Sequence, residues 1–317
     1  MRNFEYRFIN LIRDKIIPDA HRKHYGSYMS FDDKPLSPGC MACKTGSWLC
    51  CFIGTKCNLL CPHCPNDTLN SNPDFSSVSE YGKTDINGIM KILENPMYKG
   101  VGISGGEPFL YADKLVEWIR EIKKHHPHLY VWNYTNGVFA TKDNLKRVAD
   151  AGVDEVRFDL AAENYSERCL KQMEIATRLI PSVGIEVPVL LEQYNDLVRA
   201  IDFADSIGVK YLNLHDLYVT DELYKNGKGG YIRCYDKLSG IQRDIINSAP
   251  LIYRIFRHIK DNNLSIVPND CTLINMQLQG FNRFYKDYYD KMPDNDDYIR
   301  TIIENTPEES LLLDDKK

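Results

Sequence analysis

The chain has 317 residues, with 39 basic and 44 acidic side chains and a formal charge of −5. Nucleic-acid binders usually carry a basic excess, so nucleic acid is not a favoured partner. Hydrophobic residues make up 43% and charged residues 26%, an ordinary globular balance. The first twenty residues mix charges with apolar side chains and have no uninterrupted apolar core, which argues against a signal peptide. No stretch approaches the roughly 20 apolar residues of a membrane-spanning helix. A cytoplasmic protein without a membrane partner is expected.

Phe4, Phe8, Ile9, Ile12 and Ile16 recur at helical spacing, so residues 3–17 are expected to form a docking helix ended by Pro18. Residues 26–46, rich in Gly, Pro and Ser, read as loop, and Trp48–Ile53 as a short buried strand. An alternation follows: helix at Ile86–Leu93, strand at Gly100–Ser104, a helical stripe of Leu115, Trp118, Ile119 and Ile122, strand at Leu129–Tyr134, helix at Leu145–Ala149. It continues with strand Val156–Leu160, helix Glu167–Ile180, strand Val183–Leu190, a stripe of Leu197, Ala200, Ile201 and Ala204, and strand Tyr211–His215. Six strands alternating with helices predict βαβ units and a parallel sheet. Beyond them, Asn226–Gly230 reads as a turn-rich loop, Ile241–Lys260 as a helix interrupted by Pro250, and the acidic tail from Pro293 as a surface segment.

Seven of the ten cysteines lie between Cys40 and Cys64. Without a secretory signal such crowding points to metal ligation rather than disulfides. Cys57, Cys61 and Cys64 stand in TKCNLLCPHCP with C-x3-C-x2-C spacing. Thiolates suit iron–sulfur clusters. Three cysteines on one loop can bind three irons of a cubane and leave the fourth open to a small molecule. The loop follows the first expected strand, which places it at the C-terminal mouth of a barrel. After the next strand comes VGISGGEP, with Gly105, Gly106 and Glu107: glycines let backbone approach a ligand, and a carboxylate can accept from an ammonium group. A competing reading is a structural zinc ribbon, because Cys40-x2-Cys43 and Cys61-x2-Cys64 are separated by 17 residues. That reading explains neither the Gly-Gly-Glu segment nor the βα repeat.

Together these motifs resemble the radical S-adenosylmethionine (radical SAM) superfamily, and in particular activase-related members of the pyruvate formate-lyase activating enzyme type with an additional upstream C-x2-C. The resemblance implies an α/β fold, a partial (β/α)6 barrel with an N-terminal helix and loop and a C-terminal extension. It implies a [4Fe–4S] cluster with an open iron on Cys57, Cys61 and Cys64, and S-adenosylmethionine as cofactor. Gly105, Gly106 and Glu107 match the segment that binds the methionine amino group. His63 takes the place of the aromatic residue that touches adenine. Asn136 lies in NYTNG, similar to the Thr-Asn-Gly turn ending the next strand. His215 matches a ribose-binding histidine, although it could simply end its strand, and Ile185–Val189 would lie beneath the adenine. In VRFDLA, Ala161 stands where activases have a lysine, so that contact must come from elsewhere.

PGCMACKTG resembles a segment of uncharacterised activase-related proteins, which also carry a cysteine after a C-terminal strand, here Cys271. One reading is a second metal centre, a second iron–sulfur cluster, on Cys40, Cys43, Cys271 and Cys234; the other is that Cys234 and Cys271 are buried small hydrophobes. Cys50 and Cys51 point to opposite sides of one strand and read as core, and Cys169 as structural. Three parts are expected: residues 1–46 as N-terminal helix and cysteine-bearing loop, 47–218 as barrel core, and 219–317 as a helical extension that covers the barrel, with its Tyr- and Phe-rich stretch at 281–289. The implied activity is cleavage of S-adenosylmethionine to a 5′-deoxyadenosyl radical that abstracts hydrogen from a small-molecule or peptide substrate. The alternatives are an activase that installs a glycyl radical on a partner enzyme, and a non-catalytic zinc-ribbon protein. A flavodoxin or ferredoxin is the expected reductant. No catalytic side chain is assigned by the sequence.

Overall fold

A computed structural model describes residues 3–23, 28–31, 34–64, 76–79, 81–225, 234–235 and 242–272. The acidic tail, the aromatic stretch at 281–289 and the loop at 226–230 lie outside these.

The centre is a nine-stranded sheet in which seven strands run parallel. In spatial order they are Trp48–Phe52, Gly100–Ser104, Tyr130–Thr135, Glu155–Phe158, Ser182–Pro188, Tyr211–His215 and Val267–Asp270. Two short antiparallel strands, Ser77–Val78 and Gly82–Lys83, extend the sheet beyond the first. Spatial order follows chain order across all seven, as successive βα units produce. The first six are the strands expected from the sequence. The seventh adds itself beside Tyr211–His215, with Asn213 paired to Asn269.

The connecting helices form because apolar residues recur every three to four positions and caps close the ends. Ala112–His125 buries Leu115, Val116, Trp118, Ile119 and Ile122 and ends in basic residues. Lys142–Ala151 starts at Thr141, whose hydroxyl accepts from the Asn144 N–H, and stops at Gly152 in the left-handed region, φ +97°. Ile245–Asp261 runs straight through Pro250, where an interruption was expected. The proline stands one and a half turns in, so its missing N–H removes a single bond near the start.

Residues 38–44 were expected to be loop and instead form a helix, Pro38–Lys44. Ser37 caps it by accepting from the Cys40 N–H at 3.2 Å, and Pro38 occupies the first turn, where a missing N–H is harmless. The helix sits on the sheet. A β-carbon on Gly39 would stand 2.8 Å from Arg157 Nη2 and 3.0 Å from the Trp132 ring.

Residues paired in register share a side of a parallel sheet, and sides alternate along each strand. One side carries Leu49, Cys51, Val101, Ile103, Val131, Val156, Phe158, Val183, Ile185, Val187, Leu212 and Leu214, all buried, and packs under the helices. Each such side chain contributes about 1.5–3 kcal/mol by leaving water. The other side carries Cys50, Trp132, Tyr134, Glu155, Arg157, Asp159, Glu186, Asn213, His215 and Asn269. This polar side faces the helix Pro38–Lys44: Cys40 Sγ donates to Asn213 Oδ1 at 3.1 Å and receives Arg157 Nη2 at 3.3 Å.

Candidate functional site

The C-terminal ends of the parallel strands gather the expected site residues. Gly54 begins the turn after the first strand, and Gly105 and Gly106 follow the second. The two loops touch backbone to backbone. Gly106 N–H donates to Gly54 O at 3.0 Å, and Glu107 N–H to Lys56 O at 2.9 Å. Side chains would prevent this. A β-carbon on Gly105, which has φ +146°, would stand 2.4 Å from Gly54 O, and one on Gly106 2.2 Å from Lys56 O. Glycine is needed at both positions because the cysteine loop lies directly against them.

Glu107 is fully buried. Its Oε1 accepts from Phe109 N–H at 3.0 Å and Thr135 Oγ1 at 2.9 Å, and its Oε2 from Asn136 N–H at 2.7 Å. Burial pushes its carboxyl up to about 7, although these donors oppose the rise. The side chain therefore ties the second loop to the turn after the third strand. Asn136 in that turn reaches the cysteine loop, donating to Asn58 Oδ1 at 2.9 Å and Cys57 Sγ at 3.7 Å.

Cys57, Cys61 and Cys64 lie on one half-buried loop. Leu59 N–H points at Cys57 Sγ, 3.5 Å away, and Cys64 N–H donates to Cys61 O at 3.0 Å. Burial is the largest influence raising the Cys57 and Cys61 thiols. Cys61 is pushed up to about 12, helped by the nearby Asp159 carboxylate and the thiols of Cys64 and Cys57. Among the described residues, no three His, Cys, Asp or Glu side chains are drawn around a single ion. A cubane distributes its thiolates over separate irons, so its ligands stand further apart than those of one ion. His63 is buried, and its Nε2 has no hydrogen-bond partner. Burial lowers the imidazole to about 4, so the ring is neutral. Three soft donors on one loop and an orphaned ring nitrogen on the same loop fit a cluster with an open corner and a ligand base beside it. Loading requires thiolates, so it releases protons.

His215 ends the sixth strand, its Nδ1 3.1 Å from Asp216 O and its ring 5.6 Å from that of Tyr218. Thr220 Oγ1, just beyond, donates to Pro62 O in the cysteine loop at 2.5 Å. Ile185 and Val187, expected beneath the adenine, belong to the buried side under the helices, so Glu186 and Pro188 are the residues of that strand facing inward. Ala161 is buried in the turn after the fourth strand. Asp159 in the same turn accepts from Ala161 N–H at 3.1 Å, and burial pushes its carboxyl up to about 7, reinforced by Glu186 and Glu107.

The second cysteine set is partly assembled. Cys40 is buried on the helix Pro38–Lys44; Cys43, one turn along, has its thiol pushed up to about 12 by burial. Asn269 Nδ2 donates to Cys271 Sγ at 3.0 Å, and the fields of Cys40 and Cys43 reach Cys271. Cys234 lies in the strand Cys234–Tyr235, paired with Arg243, and its side chain is outside the described ones. Of the two cysteines expected to be core, Cys51 is, whereas Cys50 is half-buried on the inner side. Cys169 is buried on its helix, and its Sγ donates to Asn136 O at 3.4 Å.

The inner polar row of Tyr134, Arg157, Asp159, Glu186 and Asn213 was missed from sequence. Its signal was period-two alternation, as in the polar Arg157 and Asp159 between the apolar Val156, Phe158 and Leu160.

A parallel α/β sheet with a three-cysteine loop at its C-terminal edge defines a cofactor-binding α/β protein with an iron–sulfur-type donor set. Residues 52–204 match the model of the radical SAM superfamily, so the chain carries a radical SAM domain. Such a domain implies a [4Fe–4S] cluster and S-adenosylmethionine. The chain is 28% identical over 204 residues to a protein of Methanocaldococcus jannaschii named as a glycyl-radical enzyme activating enzyme, covering 62% of this chain and 54% of that one. It is 27% identical over 189 residues to the tungsten-containing aldehyde ferredoxin oxidoreductase cofactor-modifying protein of Pyrococcus furiosus, covering 52% and 50%. The chain thus spans about half the length of these relatives. In fold it is similar to Streptococcus suis SuiB bound to precursor peptide SuiA, with TM-score 0.54 and 13% identity over 79% of this chain and 57% of that one. It is also similar to methylornithine synthase (PylB), with TM-score 0.50 and 13% identity over 89% and 77%. Among the described residues no helix is long and apolar enough to cross a membrane.

Proposed function

We propose that this chain is a radical SAM enzyme that modifies a small-molecule or peptide substrate directly. The observation that carries the reading is the backbone contact of the Gly-Gly-Glu loop with the three-cysteine loop at the open end of the sheet. Cys57, Cys61 and Cys64 would hold the cluster. The bound cluster and S-adenosylmethionine would supply one-electron cleavage to methionine and a 5′-deoxyadenosyl radical. The chain's own residues would then place and shield the ligands. Gly105 and Gly106 let the second loop close against the cysteine loop, and the Glu107 side chain ties that loop to the turn after the third strand. His63 would lie against the adenine, Asn136 would brace Cys57, and His215 would meet the ribose. Asp159 is hydrogen-bonded to Ala161 N–H, at the position where activases have a lysine.

We also assign Cys40, Cys43 and Cys271, with Cys234 as a further ligand, to a second iron–sulfur centre. One hydrogen-bonded chain supports it: Asn213 Oδ1 accepts from Cys40 Sγ and from Asn269 Nδ2, and Asn269 Nδ2 also donates to Cys271 Sγ. In this reading residues 1–46 bring half of that centre, 47–218 form the first six strands of the barrel core, and 219–317 bring the seventh strand and the rest of the centre. A flavodoxin or ferredoxin would deliver the electron, in the cytoplasm. A second reading is activation of a glycyl-radical enzyme, which the name of the Methanocaldococcus relative favours. Direct modification is preferred because of the additional cysteines. Incubating the reduced, reconstituted chain with S-adenosylmethionine and a candidate partner enzyme separates the two: a glycyl radical seen by electron paramagnetic resonance would favour activation.

A further inference from the structure

The inner side of the sheet holds a charge arrangement that the cofactors do not use. Arg157 donates through Nε to Glu155 Oε1 at 2.7 Å and through Nη1 to Glu186 Oε2 at 2.9 Å. One guanidinium therefore serves two carboxylates, which leaves a net negative charge on the trio. Arg157 and Glu155 are 3% and 0% exposed, whereas the Glu186 side chain is 23% exposed. Asn213 Nδ2 also donates to Glu186 Oε2, at 3.2 Å. Both bonds thus fall on one oxygen, and no described residue donates to Oε1. Lys44, a further cation on this side, is buried at the base and donates to Asp270 O at 3.1 Å. Asp159 adds a further carboxyl one strand away.

We propose that Glu186 Oε1 receives an ammonium group of the substrate, so that the enzyme acts on an alkyl amine or on an amine-bearing side chain. The inference rests on the radical reading above. Glu186 stands level with Asn213 and one pleat below His215 and Cys271. An ammonium anchored there directs its carbon chain outward to the rim, where the cysteine and Gly-Gly-Glu loops stand. The half-buried Tyr134 lies on the same side, with Arg157 5.7 Å over its ring, and adds an aromatic wall that suits a cation.

The test is isothermal titration calorimetry on the anaerobically purified full chain, with n-pentylamine and its neutral counterpart 1-pentanol. A charge-assisted bond is worth about 1.5–3 kcal/mol, so the amine should bind about tenfold or more tightly. Glu186→Gln should abolish the preference, and Glu186→Asp should retain part of it. Equal affinity for the two probes, or a preference that survives Glu186→Gln, overturns the assignment. A crystal soaked in pentylamine decides without any variant: nitrogen within hydrogen-bond distance of Oε1 supports it, and nitrogen elsewhere overturns it. Cleavage of S-adenosylmethionine by the same preparation is scored separately. Cleavage without amine preference sinks only the Glu186 assignment, and amine preference without cleavage sinks only the radical reading.

Discussion

Gly106→Ala tests why the two loops carry glycines. The added β-carbon would stand 2.2 Å from Lys56 O, 2.5 Å from Lys56 C and 2.6 Å from Thr55 O. All three are backbone atoms, so no side-chain rotation relieves the clash. Overpacking of this kind costs about 1–3 kcal/mol. Separating the loops also strains the bonds from Gly106 N–H to Gly54 O and from Glu107 N–H to Lys56 O, worth about 1 kcal/mol each. The sum is about 3–5 kcal/mol, concentrated next to Cys57. Gly82→Ala is the control. Gly82 has φ +72° but nothing within 4 Å of an added β-carbon, so only the left-handed backbone cost of about 1–2 kcal/mol applies. The assay is iron per chain after anaerobic reconstitution, together with the melting temperature. Gly106→Ala should fall to the iron content of a Cys57/Cys61/Cys64 triple-alanine variant and melt several degrees lower. Gly82→Ala should load as wild type. Wild-type iron and melting in Gly106→Ala would refute the reasoning.

Iron counting on the triple-alanine variant itself tests the second centre. Residual iron that disappears when Cys40, Cys43 and Cys271 are also replaced supports it, and no residual iron counts against it. Arg157→Met should strand the fully buried Glu155 carboxylate and destabilise the fold by about 3–5 kcal/mol, measured by urea unfolding; a loss under 1 kcal/mol would contradict the ion-pair description. Glu107 titrates near 7 in the fold against 4.5 when exposed, so the unfolded chain binds fewer protons between these values. Its contribution to stability is therefore full below about pH 4.5 and declines as pH rises through 7, with a slope of up to about 1.4 kcal/mol per pH unit. Glu107→Gln should remove that part of the slope in melting curves taken from pH 5 to 8, and an unchanged slope would argue that the carboxyl is already ionised.

The six strands, the helix stripes and the cysteine loop were legible because each is a local pattern: period-two runs, 3.6-residue spacing, or a fixed cysteine interval. The helix Pro38–Lys44 was not. Its Pro and Gly are loop signals in isolation. The Ser37 cap and the contact of Gly39 with Trp132 and Arg157 become visible only once the sheet exists. The role of Glu107 was legible as a motif but not as a tie between loops, because its donors come from residues up to 29 positions away. Likewise Cys50 and Cys51 were correctly placed on opposite sides, but which side is the polar inner one depends on the register between strands. Glu186 was hidden for the same reason: it stands between Ile185 and Val187 in a strand that otherwise reads as core.

Incubation of the iron-loaded, dithionite-reduced protein with S-adenosylmethionine, followed by chromatographic detection of small products, bears most directly on the reading that the three-thiol loop grips a cluster with one corner free. Methionine and 5′-deoxyadenosine should appear in equal amounts and vanish when Cys57, Cys61 and Cys64 are replaced. Neither product from wild type, with zinc and no iron found on those sulfurs, would contradict the account.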